Sequence, residues 1–186
     1  MLAPLRDGAV DGVFLIDWNH GDFIAAGMPM RRIPSRLMDG AELSSCLWTM
    51  PATLAEPFVG KVCRAMAKAT LFAIENPAAV IEMMWAAHPA TRPDTADRSR
   101  ELRRGVEILR ARTDTMRPEG ARNPRWGAML ASEFAAAQEH LHRSSAIRRR
   151  YDPEALFDPS HITLINTFDQ DQVITQARSF SIGGPG

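Results

Sequence analysis

The chain has 186 residues, 45% hydrophobic and 24% charged, enough to bury the core of one domain or of two small lobes. Its 22 basic and 22 acidic residues cancel, so no broad field exists to draw in nucleic acid or an anionic membrane, and both are set aside as partners. No stretch approaches the run of about 20 apolar residues that crossing a bilayer requires, so no membrane insertion is expected.

Residues 1–17 read as the end of a helix, a turn at Asp7 and Gly8, and an apolar run, Val13–Ile16, short enough to be a buried strand. A short helix is expected over 18–27, then a Gly/Pro/Arg connector from Gly27 to Pro34. Leu43–Met50 is the second strand candidate, set between Gly40 and Pro51. From there the pattern turns helical: Phe58, Val62, Met66, Ala69 and Ala73 recur at three- and four-residue steps on one face, with Pro57 suited to the first turn. Asn76-Pro77 ends that helix and opens another, whose apolar stripe is Val80, Ile81, Met84 and Trp85 and whose stop is His88-Pro89. A polar loop over 90–100 precedes a third helix with Leu102, Val106 and Leu109 inward. A fourth, opened by Trp126, carries Met129, Leu130 and Phe134. Turns at Asp152-Pro153 and Asp158-Pro159, an apolar segment Ile162–Ile165, and a last helix beginning at Asp169 complete the chain.

Few residues arrange themselves for chemistry. Cys46 and Cys63 are too far apart for a CxxC pattern, and each reads as a small buried apolar residue, a disulfide between them being the lesser alternative. His140 and His142 are two apart, which on a helix turns them to nearly opposite sides, so no metal site is expected. His88 reads as a helix-end residue, and His161 has no partner the sequence can name. There is no nucleophile elbow and no glycine-rich phosphate loop, so the expectation is a protein that is not an enzyme and carries no cofactor.

Asp17, Trp18, Asn19 and His20 differ in kind, because they follow the apolar strand candidate directly and open a helix. Ligands of open α/β sheets collect at the carboxyl ends of strands, and a helix N-terminus there offers amides to an anionic group. Trp18 supplies an aromatic wall, Asn19 and His20 directional hydrogen bonds; the alternative is that Trp18 packs as core and His20 faces water. Trp48, in the second strand candidate, either lines a crevice or packs inside. The run Arg148-Arg149-Arg150 is read as a solvated helix end, the alternative being contact with a partner's acidic patch.

Three segments resemble one family. Leu5–Asp17, LRDGAVDGVFLID, with Trp18 after it, is similar to the helix, turn, apolar strand and tryptophan of ABC-importer solute-binding proteins for nitrate, sulfonates, taurine and the thiamine pyrimidine precursor. Residues 51–84 place Glu56-Pro57, Ala65, Ala69 and Asn76-Pro77 in that family's register, and YDPEALFDPSHI followed by NTFDQDQVITQARSF resembles its closing turn and helix. His20 stands where the family often has proline and Asn19 where it has a carboxylate, so ligand identity does not carry over.

The resemblance implies an α/β fold: a partial, helix-rich type-two periplasmic-binding fold with the N-terminal lobe elements absent. Residues 1–45 would be the remnant of one lobe with the hinge crossover, between about Gly27 and Trp48, and 46–186 the C-terminal part of the other. It further implies a small-molecule ligand, held by Asp17, Trp18, Asn19, His20 and Trp48, an ABC transporter permease as partner, and a periplasmic location for the full-length protein. The sequence has no signal peptide before Val13, which by itself points to the cytoplasm. Two other readings stand beside it: a thiamine-pyrimidine-synthase-like enzyme on the same scaffold, disfavoured by the lack of a cysteine cluster, and a non-binding interaction module that forms a homodimer through exposed sheet edges.

Overall fold

The computed structural model describes residues 3–31, 33, 46–94, 97–116 and 124–182. Within them the protein is helix-rich: α1 (Ala3–Arg6), α2 (Asp17–Ala25), α3 (Pro51–Leu54), α4 (Pro57–Glu75), α5 (Pro77–Ala87), α6 (Arg98–Thr113), α7 (Ala131–Arg143), α8 (Ile162–Ile165) and α9 (Gln170–Ser179). Prolines begin α3, α4 and α5, where a missing N–H costs nothing and φ is already helical. Gly8 and Gly27, at φ of +68° and +69°, turn the chain after α1 and α2.

No strand forms among the described residues, and this corrects the sheet-based expectations. Val13–Ile16 is an irregular, largely exposed segment; Ile16 is extended, at φ −83° and ψ 159°. A strand exists only through the ladder bonds of a neighbour, and none is supplied here. Of the second candidate, Leu43–Ser45 lies outside the described residues, as does most of the supposed hinge, and Cys46–Met50 is irregular and exposed. Ile162–Ile165 makes one helical turn. With no sheet edge among the described residues, the homodimer through such edges loses its structural basis.

The chain divides into two compact units, each described by itself. The first comprises Met1–Arg31, Leu71–Thr115 and Asp171–Gly186. Its core holds Phe23, Leu71, Ala73, Ala79, Ile81, Trp85, Val173 and Ala177. α6 packs on α2 and α5. Gly21 sits at the α2–α6 crossing, where an added Cβ would lie 2.5 Å from Ile108 Cα and 2.6 Å from the Glu107 carbonyl oxygen. The lack of a side chain therefore lets the two backbones touch. Asn76 caps α5 by accepting from the Ala79 amide at 3.1 Å, while its Nδ2 donates to the carbonyls of Ala177 at 2.7 Å and Phe180 at 3.1 Å. One side chain thus fastens α9 to the start of α5. Edge-on packing of Phe180 on Phe72 and the Arg178–Glu75 ion pair close the same junction.

The second unit comprises Arg32–Thr70 and Met116–Gln170. Gly60 of α4 lies against His161 and Leu164, so α8 approaches the helix closely. His161 Nε2 donates to the Leu54 carbonyl at 2.7 Å; a carbonyl only accepts, so Nε2 carries the proton. Trp126 is buried, and its backbone is bracketed by Asn166, whose Oδ1 accepts from its amide and whose Nδ2 donates to its carbonyl, both at 3.0 Å. Gln138, also buried, brackets Tyr151 in the same way at 2.6 and 3.0 Å. Phe134 stacks on Phe157 at 5.1 Å. Trp126 does not open the fourth helix, which starts at Ala131; Gly127 at φ +74° breaks the chain between them.

α4 departs from its sequence pattern in one respect. Of the face named by the spacing, Phe58, Val62, Met66 and Ala69 are exposed and only Ala73 is buried, while Gly60, Ala67 and Leu71 off that face are buried. The helix has a wide apolar arc, and the part of it with the small residues admits its neighbours.

Candidate functional site

The extended chain at Ile16 turns directly into α2 at Asp17, and the Asn19 amide bonds back to the Ile16 carbonyl at 3.0 Å. Ile16 has no side-chain oxygen to cap the helix. Phe23, 1% exposed, and Gly21 at the α6 crossing fix the orientation of α2. The helix therefore presents its first turn from a rigid base.

Trp18 is 44% exposed, and the guanidinium of Arg112 lies 5.8 Å from its ring centroid. Asn19 is half-buried and His20 exposed. At 100° per residue, Trp18 and His20 point to sides about 200° apart, so the three residues after Asp17 fan around the helix rather than line one surface. Arg104 of α6 holds Asp22 at 2.8 Å, and this bond keeps the guanidinium pKa above its ordinary value. Trp48 belongs to the second unit and is 92% exposed, with Leu47 and Met50 also exposed beside it.

Sequence reasoning missed Arg112, which reaches Trp18 only through the α2–α6 crossing, and the partner of His161, which is a backbone carbonyl without sequence signature. Other candidates resolve as structural groups. Trp85 is buried beneath Arg98, and the recess lined by these two with Arg92, Pro93 and Glu101 has a volume of about 10 Å³, room for a water at most. Cys46 and Cys63 form no disulfide; Cys46 is exposed, contrary to expectation, while partial burial pushes the Cys63 thiol pKa up. Glu139 pairs with Arg143 and Arg150. Among the described residues, no three His, Cys, Asp or Glu side chains converge to hold a metal ion, and no helix is long and apolar enough to cross a membrane.

What α2 offers is recognition chemistry: an aromatic face with a cation beside it, at the start of a fixed helix. The chain matches no protein family, no curated protein and no solved structure.

Proposed function

We propose that the chain is the helix-rich C-terminal part of an extracytoplasmic solute-binding protein, an α/β receptor of the type-two periplasmic-binding kind that delivers a small organic or anionic solute to an ABC importer. One observation carries the reading. Val10, Val13, Phe14 and Ile16 form an exposed, largely apolar stretch that runs straight into the N-terminus of α2, and Phe14 is 94% exposed. Such a segment is what an interior strand becomes without its neighbours, because its apolar side chains are left uncovered.

The balance of buried and exposed residues agrees. Among the described residues, 11 hydrophobic residues are buried, four of them alanine, against 19 large hydrophobics left exposed. An independent domain rarely leaves so much uncovered. The segments that resemble the family also keep its order: helix starts at Pro57 and Pro77, an Asp-Pro turn at 152, and a closing helix.

In this reading a second lobe closes over the first turn of α2, and burial of the solute between lobes supplies affinity without a reacting group; the closed form is what the permease recognises. Trp18 forms the wall, and Asp17, Asn19 and His20 are the remaining candidates on α2. The test is calorimetric titration of nitrate, taurine, an alkanesulfonate and a pyrimidine precursor into a version carrying an N-terminal receptor lobe, before and after Trp18→Ala. The expected result is binding that weakens by roughly tenfold or more on loss of the aromatic wall. Binding indifferent to Trp18→Ala removes α2 from the site; no binding of any of these solutes by the extended protein defeats the receptor reading.

The exposed Trp48 favours a second reading, an interaction module whose apolar surface another chain covers. Size-exclusion chromatography with light scattering separates the two: a stable complex without solute affinity supports the module.

A further inference from the structure

The three consecutive arginines after α7 are not explained by the helix end. α7 finishes at Arg143, and the influence of a helix C-terminus fades within its last turn, whereas Arg148–Arg150 follow five to seven residues later. Their position is set by something else. The buried Gln138 bonds both the amide and the carbonyl of Tyr151, pinning the end of the loop to the helix. Arg149 lies over the Tyr151 ring at 4.7 Å and its Nε donates to the tyrosine hydroxyl at 2.8 Å. Arg150 is held by Glu139. Arg148 is exposed.

This fixes Arg149 by its Nε and its flat face, while both Nη groups have no partner among the described residues. A planar guanidinium held in this way has two parallel donors ready for a carboxylate and loses little freedom when it binds one. Over residues 139–154, Arg143, Arg148, Arg149 and Arg150 stand against the carboxylates of Glu139, Asp152 and Glu154, and Glu139 is already taken by Arg143 and Arg150. We propose that this arginine turn is a docking point for an acidic peptide segment of a partner protein.

A lipid surface would draw on the same charge, but it fits less well. Asp152 and Glu154 follow at once and would meet the same anionic plane, and the balanced charge of the chain supplies no wider basic field. Discrete carboxylates can instead be met one by one. The proposal does not depend on the receptor reading.

The test uses the full chain, a fluorescein-labelled polyglutamate peptide followed by anisotropy, and sedimentation with phosphatidylserine-containing vesicles. The wild type should bind the peptide, more weakly as salt rises. Arg149→Glu should weaken binding about tenfold, whereas Arg103→Glu, the same charge change on an exposed α6 position, should leave it within about twofold. The deciding variants preserve charge. Arg149→Lys loses the planar fork and Tyr151→Leu loses the stacking and hydroxyl contact, and each should weaken binding by about fivefold with an unchanged circular dichroism spectrum. The proposal is overturned if these two bind like wild type, if Arg103→Glu matches Arg149→Glu, if the peptide does not bind, or if the vesicles compete as well as the peptide.

Discussion

In the first compact unit, two helices meet along their backbones at a glycine; in the second, amide side chains stand in for backbone partners. Gly21 brings α2 onto α6 and Asn76 clasps α9, so the first unit is held largely by packing around Phe23, Ile81 and Trp85. In the second, Asn166 and Gln138 each satisfy both backbone groups of an aromatic residue, as a neighbouring strand would. The difference shows two routes to the same requirement, that buried backbone polar groups find partners. The irregular chain at the buried Trp126 and at the exposed Tyr151 is fixed in place because a side chain supplies those partners.

The comparison can be broken from either side. Gly21→Ala has the largest expected effect, because the methyl meets the Ile108 and Glu107 backbone rather than a movable side chain. We expect a loss of roughly 1–3 kcal/mol in chemical denaturation, near the upper end, with Gly12→Ala, which meets nothing within 4 Å, close to neutral. Gln138→Met should cost about 1–2 kcal/mol by stranding the Tyr151 amide and carbonyl, and hydrogen exchange should accelerate at the Tyr151 amide while α2 stays protected. The smallest effect is a pH dependence in the second unit. Asp158 accepts the Ser160 amide at 2.8 Å, which holds its pKa below the ordinary carboxylate value. A depressed folded pKa stabilises above the unfolded value, and that contribution is lost as pH falls through the folded one. Acid titration of stability should therefore be slightly shallower in Asp158→Asn than in wild type.

Helix boundaries were legible where punctuation is local: Pro57, Asn76-Pro77, His88-Pro89 and the turn at Asp152 all stand where read. The buried face of α4 was not, because the charged stripe of Lys61, Arg64, Lys68 and Glu75 leaves a wide apolar arc, and the sequence does not say which part of that arc is covered. Val13–Ile16 carries the composition of a strand, yet pairing is a property of neighbours, and no local pattern contains them. The candidate site was half legible. That Trp18 follows an apolar extended segment at a helix start can be read from sequence; that Arg112 lies beside it depends on the crossing at Gly21, and that Trp48 is exposed depends on what surrounds it.

The central physical claim is that residues 13–16 are a strand lacking its sheet. Amide hydrogen exchange over 13–16 tests it most directly, in the 186-residue chain and in a version carrying an N-terminal receptor lobe. The account predicts exchange near the unstructured rate in the first and protection by about 100-fold or more in the second. Equal exchange in both, or protection already present in the chain alone, would contradict it.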